Sequence, residues 1–263
     1  MHCTGKGIFL TTVGCGDVHV MADEGTPPEV YMKVDGEPTG VAMDSMGRVY
    51  IADTALRAVT QVTEEENNVL VKEYEQKSFR GPSSIAFGPD GAMYFTDSGP
   101  LGESTLQTPN GSCFCITMTP KGGEQILKPL VLECLAHPCG IAVSADGKNL
   151  FVSELLRNRV VRLFEYPSGV WQTSVYFQFS GRVGPSGIAC ADDGTLYVGM
   201  FEPASCSNGT TTGIVQVINP DGSSGRQIMI PGPAVEGIAL SVNGSTLYVT
   251  EASTKSVYAV SLE

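Results

Sequence analysis

One carboxylate stands out for the chemistry that its neighbours in the sequence would give it. Glu236 lies in VEGIALSVNG, between Val235 and Gly237, and no Lys or Arg is adjacent to it. A carboxylate in an apolar setting without a compensating cation has its charged form disfavoured, so its pKa rises and it becomes a better base near neutral pH. Glu236 is therefore a candidate general base. A solvated loop carboxylate, or an acceptor at a strand edge, is the structural alternative.

Two further candidates flank Pro138 in HPCGIAVSADG. His137 is a candidate catalytic acid or base, because an imidazole titrates near neutral pH. A hydrogen-bonded structural His beside a strand start is the alternative interpretation. Cys139 could act as a nucleophile, but the sequence shows no second base to partner it. A small buried residue in a crowded strand is the simpler interpretation of Cys139.

These candidates belong to a repeated segment. Versions of it begin at Pro38, Pro82, Pro138, Pro185 and Val235, and the starts lie 44 to 56 residues apart. That period is typical of propeller blades and solenoids. Equivalent positions in repeats become equivalent positions in space, so we expect the residues that follow the starts to line a pocket at one mouth of a central channel. These residues are Thr39, Ser83, Cys139, Ser186 and Glu236.

Each repeat has the pattern of an antiparallel sheet. A small apolar strand such as GIAVS turns through Asp-Gly or Asn-Gly into an alternating strand such as NLFVSE, and two more strands follow. Two-residue turns of this kind connect antiparallel strands. Four such strands describe a propeller blade with the Gly- and Ala-rich strand innermost. The sequence predicts an all-β, six-bladed β-propeller of four-stranded antiparallel blades, with residues 1–263 as a single domain.

The first and last repeats are incomplete. Residues 5–34 contain three strand patterns, GIFLTTV, DVHVMA and EVYMKV, with a missing or vestigial inner strand. The last repeat stops after SVYAVSLE, without an outer strand. Because closure removes exposed strand edges, we expect the propeller to close by sharing strands between the termini.

Composition argues against two classes of partner. The formal net charge is -12, with 28 acidic residues against 16 Lys and Arg. Binding to nucleic acid or to anionic lipid requires a basic surface, so neither is an expected partner. No apolar run approaches the ~20 residues that span a bilayer. No signal peptide is recognisable in MHCTGKGIFLTTVGCG, which favours a cytoplasmic location, or an extracytoplasmic one if the chain has been trimmed at its N-terminus.

The eight cysteines show no paired CxxC spacing of the kind that binds metals. Cys113 and Cys115 form a CxC pair, which predicts two side chains on the same face of one strand. A disulfide or a redox role is the alternative for this pair.

The segment YFTDSGPLGESTLQTPNGSCF and the segment HPCGIAVSADGKNLFVSELLRNRVVRLF resemble the core of strictosidine synthase-like proteins. Those proteins are six-bladed propellers related to the gluconolactonase (senescence marker protein 30) and paraoxonase group. The first blade and the insertion at residues 98–112 also resemble that family, so the likeness covers nearly the whole chain. The resemblance implies the fold with more specificity than the activity, because such scaffolds carry unrelated reactions.

The resemblance also bears on calcium. Calcium-dependent lactonases of this group place Asn and Asp at several inner-strand starts, whereas this chain has Cys139 and Ser186 at the matching positions. A thiol and a neutral hydroxyl are poor ligands for a hard cation. The resemblance therefore gives calcium only as a disfavoured alternative, and no other cofactor is indicated. Any ion is expected on backbone carbonyls or on Glu236.

By its position in the last blade, Glu236 matches the catalytic base of strictosidine synthase, although the family's His two residues earlier is Ala234 here. The resemblance thus implies a propeller that binds a small organic molecule, either a condensing or a hydrolytic enzyme with Glu236 as base. A calcium-dependent lactonase or esterase of the gluconolactonase type is one alternative. The other is a non-catalytic scaffold that binds a protein partner through rim loops at residues 99–112 and 202–212.

Overall fold

In the computed structural model, the described residues are 1–22, 24–63, 66–118, 125–203, 209 and 211–262. Every regular element among them is a β-strand, so the all-β prediction is confirmed. No helix in this part of the chain is long and apolar enough to cross a membrane. The chain divides into two compact units, Met1–Pro138 and Cys139–Glu263.

Unit 1 contains three four-stranded antiparallel sheets and a small hairpin. The first sheet consists of β1 (His2–Thr4), β2 (Gly7–Thr12), β3 (Asp17–Met21) and β4 (Glu29–Lys33). The second consists of β5 (Pro38–Met43), β6 (Val49–Asp53), β7 (Ala58–Val62) and β8 (Asn67–Val71). The hairpin is β9 (Glu73–Tyr74) with β10 (Lys77–Ser78). The third sheet consists of β11 (Pro82–Phe87), β12 (Met93–Asp97), β13 (Gly111–Met118) and β14 (Gln125–Leu135).

Unit 2 contains two four-stranded sheets and one three-stranded sheet. The first consists of β15 (Pro138–Val143), which starts at the unit boundary, with β16 (Asn149–Glu154), β17 (Arg159–Glu165) and β18 (Trp171–Gln178). The second consists of β19 (Gly184–Cys190), β20 (Leu196–Phe201), β21 (Thr212–Ile218) and β22 (Ser224–Pro231). The last consists of β23 (Val235–Leu240), β24 (Thr246–Glu251) and β25 (Ser256–Ser261).

The six sheets follow one another in chain order, and β5, β11, β15, β19 and β23 each begin at or next to a predicted repeat start. Each of these strands lies at one edge of its sheet and pairs with the next strand in sequence. This is the strand order of propeller blades, so the six-bladed β-propeller prediction is confirmed.

The strand pairing corrects the expectation of shared terminal strands. Among the described residues, every sheet is built from strands that are consecutive in the chain. The first sheet has its own short inner strand, because a turn folds His2–Thr4 back along β2 with His2 opposite Phe9. The last sheet has three strands and ends at β25, as the missing outer-strand pattern predicted.

Glycines at the inner-strand starts allow neighbouring strands to approach closely. A Cβ built on Gly140 would lie 2.4 Å from the carbonyl oxygen of Ser186, and one on Gly187 would lie 2.4 Å from that of Glu236. In unit 1, a Cβ built on the equivalent Gly40 would lie 2.6 Å from the carbonyl oxygen of Ser83 on β11. Only glycine permits such backbone contact, which explains why glycine stands two residues after the repeat start at Gly40, Gly140 and Gly187.

Apolar side chains between the sheets form the core of each unit. In unit 1, Phe95 stacks on Phe114 with ring centroids 5.3 Å apart, and Phe79 packs against both rings. In unit 2, Val235 and Leu247 are fully buried between the last two sheets. Burial of each such side chain contributes about 1.5–3 kcal/mol, which fixes the inner strands in place.

Cys113 and Cys115 are both buried on β13, two residues apart. Alternate residues of a strand point to the same face, so the prediction that these side chains share one face is confirmed.

Candidate functional site

In unit 2, the side chains at the inner-strand starts connect each strand to the next. The Cys139 thiol donates to the carbonyl oxygen of Pro185 at 3.3 Å. The Ser186 hydroxyl lies 2.7 Å from the carbonyl oxygen of Val235 and 3.1 Å from that of Gly199, and it donates to them. Each side chain therefore bonds to the residue just before the equivalent position of the neighbouring strand. This equivalence supports the repeat alignment.

Unit 1 shows the same arrangement. The Thr39 hydroxyl lies 3.0 Å from the carbonyl oxygen of Pro82 and 3.2 Å from that of Ala52. Ser83 is half-buried on β11, where its carbonyl oxygen approaches Gly40. The structure thus places Thr39, like Cys139 and Ser186, in a bond to backbone. Their predicted role in lining a ligand pocket stays a prediction.

Cys139 has the properties of a structural thiol. Burial raises its pKa to about 12, and the negative charge of Glu236 acts in the same direction. The side chain therefore stays protonated near neutral pH, and a protonated thiol is a poor nucleophile. These properties support a structural role for Cys139 in a crowded strand, although the residue is half-buried and not fully buried as expected.

Glu236 is the second residue of β23 and is exposed to solvent. The protein around it nevertheless removes enough hydration to raise its pKa, and the nearby charge of Glu251 raises it further. This is the direction expected from the apolar neighbours in the sequence. A carboxylate that water can reach and whose pKa is raised has the properties of a general base.

Glu251, at the end of β24, is buried to 1% exposure and is surrounded by hydrogen-bond donors. Its Oε1 accepts bonds from the Ala234 amide at 2.8 Å and from the amide and hydroxyl of Ser253 at 3.1 and 2.5 Å. Its Oε2 accepts bonds from the amide and hydroxyl of Thr254 at 2.7 and 2.6 Å. Burial alone would raise the pKa of Glu251, but these bonds outweigh it and the pKa is lowered.

The pKa values of the two carboxylates of the last sheet are thus shifted in opposite directions, that of Glu236 upward and that of Glu251 downward. Glu251 stays ionised because five donors hold its charge. Among the described residues no donor binds the Glu236 carboxylate in this way, and the charge of Glu251 acts on it. Neighbouring carboxyl groups with separated pKa values are a common arrangement in acid–base sites. We assign the fixed charge to Glu251 and the titratable one to Glu236.

Sequence analysis did not single out Glu251 or its equivalents at the ends of β6, β12 and β16. These residues are Asp53, Asp97, Glu154 and Glu251, and all are buried. Asp53 accepts a bond from the Glu37 amide, just before β5, at 3.1 Å, and Asp97 accepts one from the Gly81 amide, just before β11, at 2.7 Å. Glu154 forms ion pairs with Arg157 and Arg159. An acid at the end of VYIAD, MYFTD, NLFVSE and TLYVTE was the available signal.

His137 lies in the turn between β14 and β15, with 9% of its surface exposed and φ at 58°. Burial lowers its pKa to about 4. The imidazole is therefore neutral at pH 7, and its Nδ1 has no hydrogen-bond partner among the described residues. A role for His137 as a catalytic acid or base stays a prediction.

The donor atoms at these strand starts do not match the needs of a calcium ion. Calcium prefers six to eight oxygens, with carboxylates prominent among them. In unit 2 the corresponding side chains are a thiol, a hydroxyl that donates to backbone and the single carboxylate of Glu236. Within the described ranges, no three His, Cys, Asp or Glu side chains are grouped so as to hold a metal.

Comparison with known proteins places these features in a wider group. The family model described as SMP-30/Gluconolactonase/LRE-like region matches residues 15–253. A gluconolactonase from Zymomonas mobilis is 30% identical over 121 residues, which cover 43% of this chain and 32% of that protein. Lactonase drp35 from Staphylococcus saprophyticus is 31% identical over 156 residues, 56% of this chain and 41% of the relative. The matched regions span less than half the length of these relatives.

A solved structure supports the fold. The solved structure of a gluconolactonase from Xanthomonas campestris superposes with a TM-score of 0.76 over 97% of this chain and 82% of that protein. The sequence identity is 19%, so this likeness concerns the fold alone.

Proposed function

Because this chain belongs to the SMP-30/gluconolactonase/LRE-like family, we propose that it hydrolyses a lactone or ester of a small organic acid, with Glu236 as general base. The observation that carries the proposal is the raised pKa of Glu236 at an inner-strand start. The relatives named gluconolactonase and lactonase support the reaction class.

In the proposed reaction, Glu236 takes a proton from a water molecule while the oxygen of that water attacks the carbonyl carbon of the lactone. The tetrahedral intermediate then collapses, and the bond from that carbon to the ring oxygen breaks. The ring oxygen leaves as a hydroxyl after receiving the proton from Glu236. Water is the nucleophile here because Cys139, with a pKa of about 12, stays a thiol. No step is assigned to a metal ion.

In this proposal, Glu251 acts through Glu236. Its charge raises the pKa of Glu236, which strengthens that carboxylate as a base. Its bond to the Ala234 amide also fixes the backbone two residues before Glu236. Glu251 is therefore a positioning residue that sets the basicity of its neighbour.

The first test compares the wild-type protein with Glu236→Gln in a pH-stat assay of δ- and γ-lactones and simple esters, with spontaneous hydrolysis subtracted. Loss of a positioned base typically lowers the rate by ~10²–10⁴-fold. Glu29→Gln, at an exposed position of β4, is the matched control and should leave the rate unchanged. Activity that survives Glu236→Gln within a few-fold would assign the chemistry elsewhere, with His137 as the next candidate.

The pH profile gives a second readout of the same proposal. The base must be deprotonated, so activity should increase with pH through the raised pKa of Glu236, above the usual value of 4.5. We expect activity after dialysis against EDTA to be retained. Loss on dialysis with recovery on calcium addition would favour the calcium-dependent lactonase alternative.

The condensing reaction implied by the resemblance to strictosidine synthase would use the same carboxylate as its proton acceptor. A screen of amine and aldehyde pairs with the wild-type protein and Glu236→Gln would detect this condensing reaction. If no substrate of either kind is turned over, the non-catalytic scaffold becomes the leading hypothesis. Of its two rim loops, the second includes residues 204–208 and 210, which lie outside the described residues.

A further inference from the structure

Unit 1 contains a cleft of about 270 Å³ between the β9–β10 hairpin and the third sheet. The buried rings of Phe79 and Phe114 and the half-buried ring of Tyr74 form its apolar side. Neither Thr39 nor Ser83 contributes to its lining. The cleft adjoins the start of β11 through Arg80 and Asp97, but it does not include the side chains of Thr39 and Ser83, and no step of the proposed hydrolysis uses it.

Two arginines line this cleft, Arg57 exposed and Arg80 half-buried, so water can reach both side chains. Across the part of the chain that the structure describes, the guanidinium groups of Arg57 and Arg80 make no hydrogen bond and no ion pair. All the other arginines pair with a carboxylate, donate to a carbonyl oxygen or lie over an aromatic ring. They are Arg48, Arg157, Arg159, Arg162, Arg182 and Arg226.

The nearest buried carboxylate does not pair with either guanidinium. Asp97 lines the cleft, but its oxygens accept bonds from the backbone amides of Arg80 at 3.1 Å and Gly81 at 2.7 Å. The planar guanidinium group matches a carboxylate with paired donors. Two such groups beside one cleft therefore present the chemistry that binds an organic carboxylate.

Residues with left-handed backbone contribute to the rim of this cleft. Arg57, Glu75 and Glu133 have φ of 53°, 49° and 49°. Arg57 shares this conformation with Asn158 and Lys255, which end the equivalent β16–β17 and β24–β25 turns, so its backbone follows the turn geometry of the blades. The Glu133 amide donates to the Ser112 hydroxyl at 3.0 Å, which fixes this part of the rim.

The acidic residues of the rim narrow the class of ligand. The lining has four acidic side chains, Glu75, Asp97, Glu103 and Glu133, and three basic ones, Arg57, Lys77 and Arg80. The acidic side chains repel a dianion more strongly than a monoanion, and a ligand hydroxyl group can donate a hydrogen bond to one of them. We propose that this cleft binds a small aromatic hydroxy-monocarboxylate, with its carboxylate on Arg57 and Arg80 and its ring against Tyr74.

Calorimetry with three probes tests the proposal: mandelate, its neutral amide and inorganic phosphate. We expect mandelate to bind with one-to-one stoichiometry, and the amide and phosphate to bind at least about tenfold more weakly, because each lacks one feature that the cleft recognises. Mandelate that fails to bind, or that binds no better than its amide, overturns the proposal.

The variants Arg57→Gln and Arg80→Gln should each weaken mandelate binding by about tenfold or more. Arg226→Gln, on β22 of unit 2, is the matched control and should bind normally. Melting curves show whether each arginine variant is folded. If one of them fails to fold, mandelate binding to the other variant tests the proposal. Unchanged binding in the folded variants overturns the proposal. Glu236→Gln should bind mandelate normally, which separates this test from that of the proposed hydrolysis.

Discussion

Replacement of Glu251 by Gln tests whether this buried carboxylate holds the start of the last inner strand. The substitution keeps the shape of the side chain but removes its charge and turns one oxygen into a donor. The new NH₂ group takes the place of one of the two oxygens, so it faces either Thr254 or the pair Ala234 and Ser253. Whichever way the amide turns, a backbone N–H then faces another donor, either the buried N–H of Ala234 or the partly buried N–H of Thr254.

The size of the effect follows from these bonds. An unsatisfied buried N–H costs about 1–3 kcal/mol, and each bond that changes from charge-assisted to neutral loses about 1 kcal/mol. Relief of the burial penalty of the charge offsets part of this loss. We expect Glu251→Gln to lower the free energy of unfolding by about 3 kcal/mol, and Tm by about 6–12 °C for a chain of this size.

Urea unfolding at pH 7 measures this loss, with Glu29→Gln as the control. The pKa of Glu251 in the folded protein is lowered below its usual value of 4.5. Its ionised form therefore stabilises the fold above about pH 4.5, and this contribution is lost as pH falls through the folded pKa. The difference in the free energy of unfolding between wild type and Glu251→Gln should therefore decrease over that acidic range. A loss at pH 7 below about 1 kcal/mol, or one that does not change with pH, would refute the reasoning.

Two shorter predictions concern the same strands. Gly187→Ala should lower the free energy of unfolding by at least about 1–3 kcal/mol, because its Cβ would lie 2.4 Å from the Glu236 carbonyl oxygen. Gly14→Ala, with nothing within 4 Å of its Cβ, should have a much smaller effect in the same urea titration, and equal losses would contradict the close-approach argument. In iodoacetamide labelling at pH 8, followed by peptide mass spectrometry, exposed Cys15 should react first. Cys139 should stay unlabelled because burial raises its pKa to about 12, and its labelling at the rate of Cys15 would be inconsistent with the structure.

The sequence alone determined the fold, because each blade is a local unit. The turn dipeptides, the strand alternation and the repeat starts all act within about 50 residues, and a blade pairs strands that are consecutive in the chain. The direction of the pKa shift of Glu236 was also predictable, since its apolar neighbours are adjacent in sequence. The inner strand of the first sheet, His2–Thr4, was not predictable, because three residues carry too little pattern to be recognised, and the expectation of shared terminal strands was wrong for that reason.

Tertiary structure decided which groups act on one another. Glu251 raises the pKa of Glu236 across the paired strands β23 and β24, although fifteen positions of chain separate the two residues. Ser186 and Cys139 are used in bonds to carbonyl oxygens of the neighbouring strand, which no local pattern specifies. Arg57 and Arg80 come to one cleft from the loops of different sheets. Electrostatic coupling and cleft lining depend on distances between separate strands and loops, and those distances exist only after the sheets have packed.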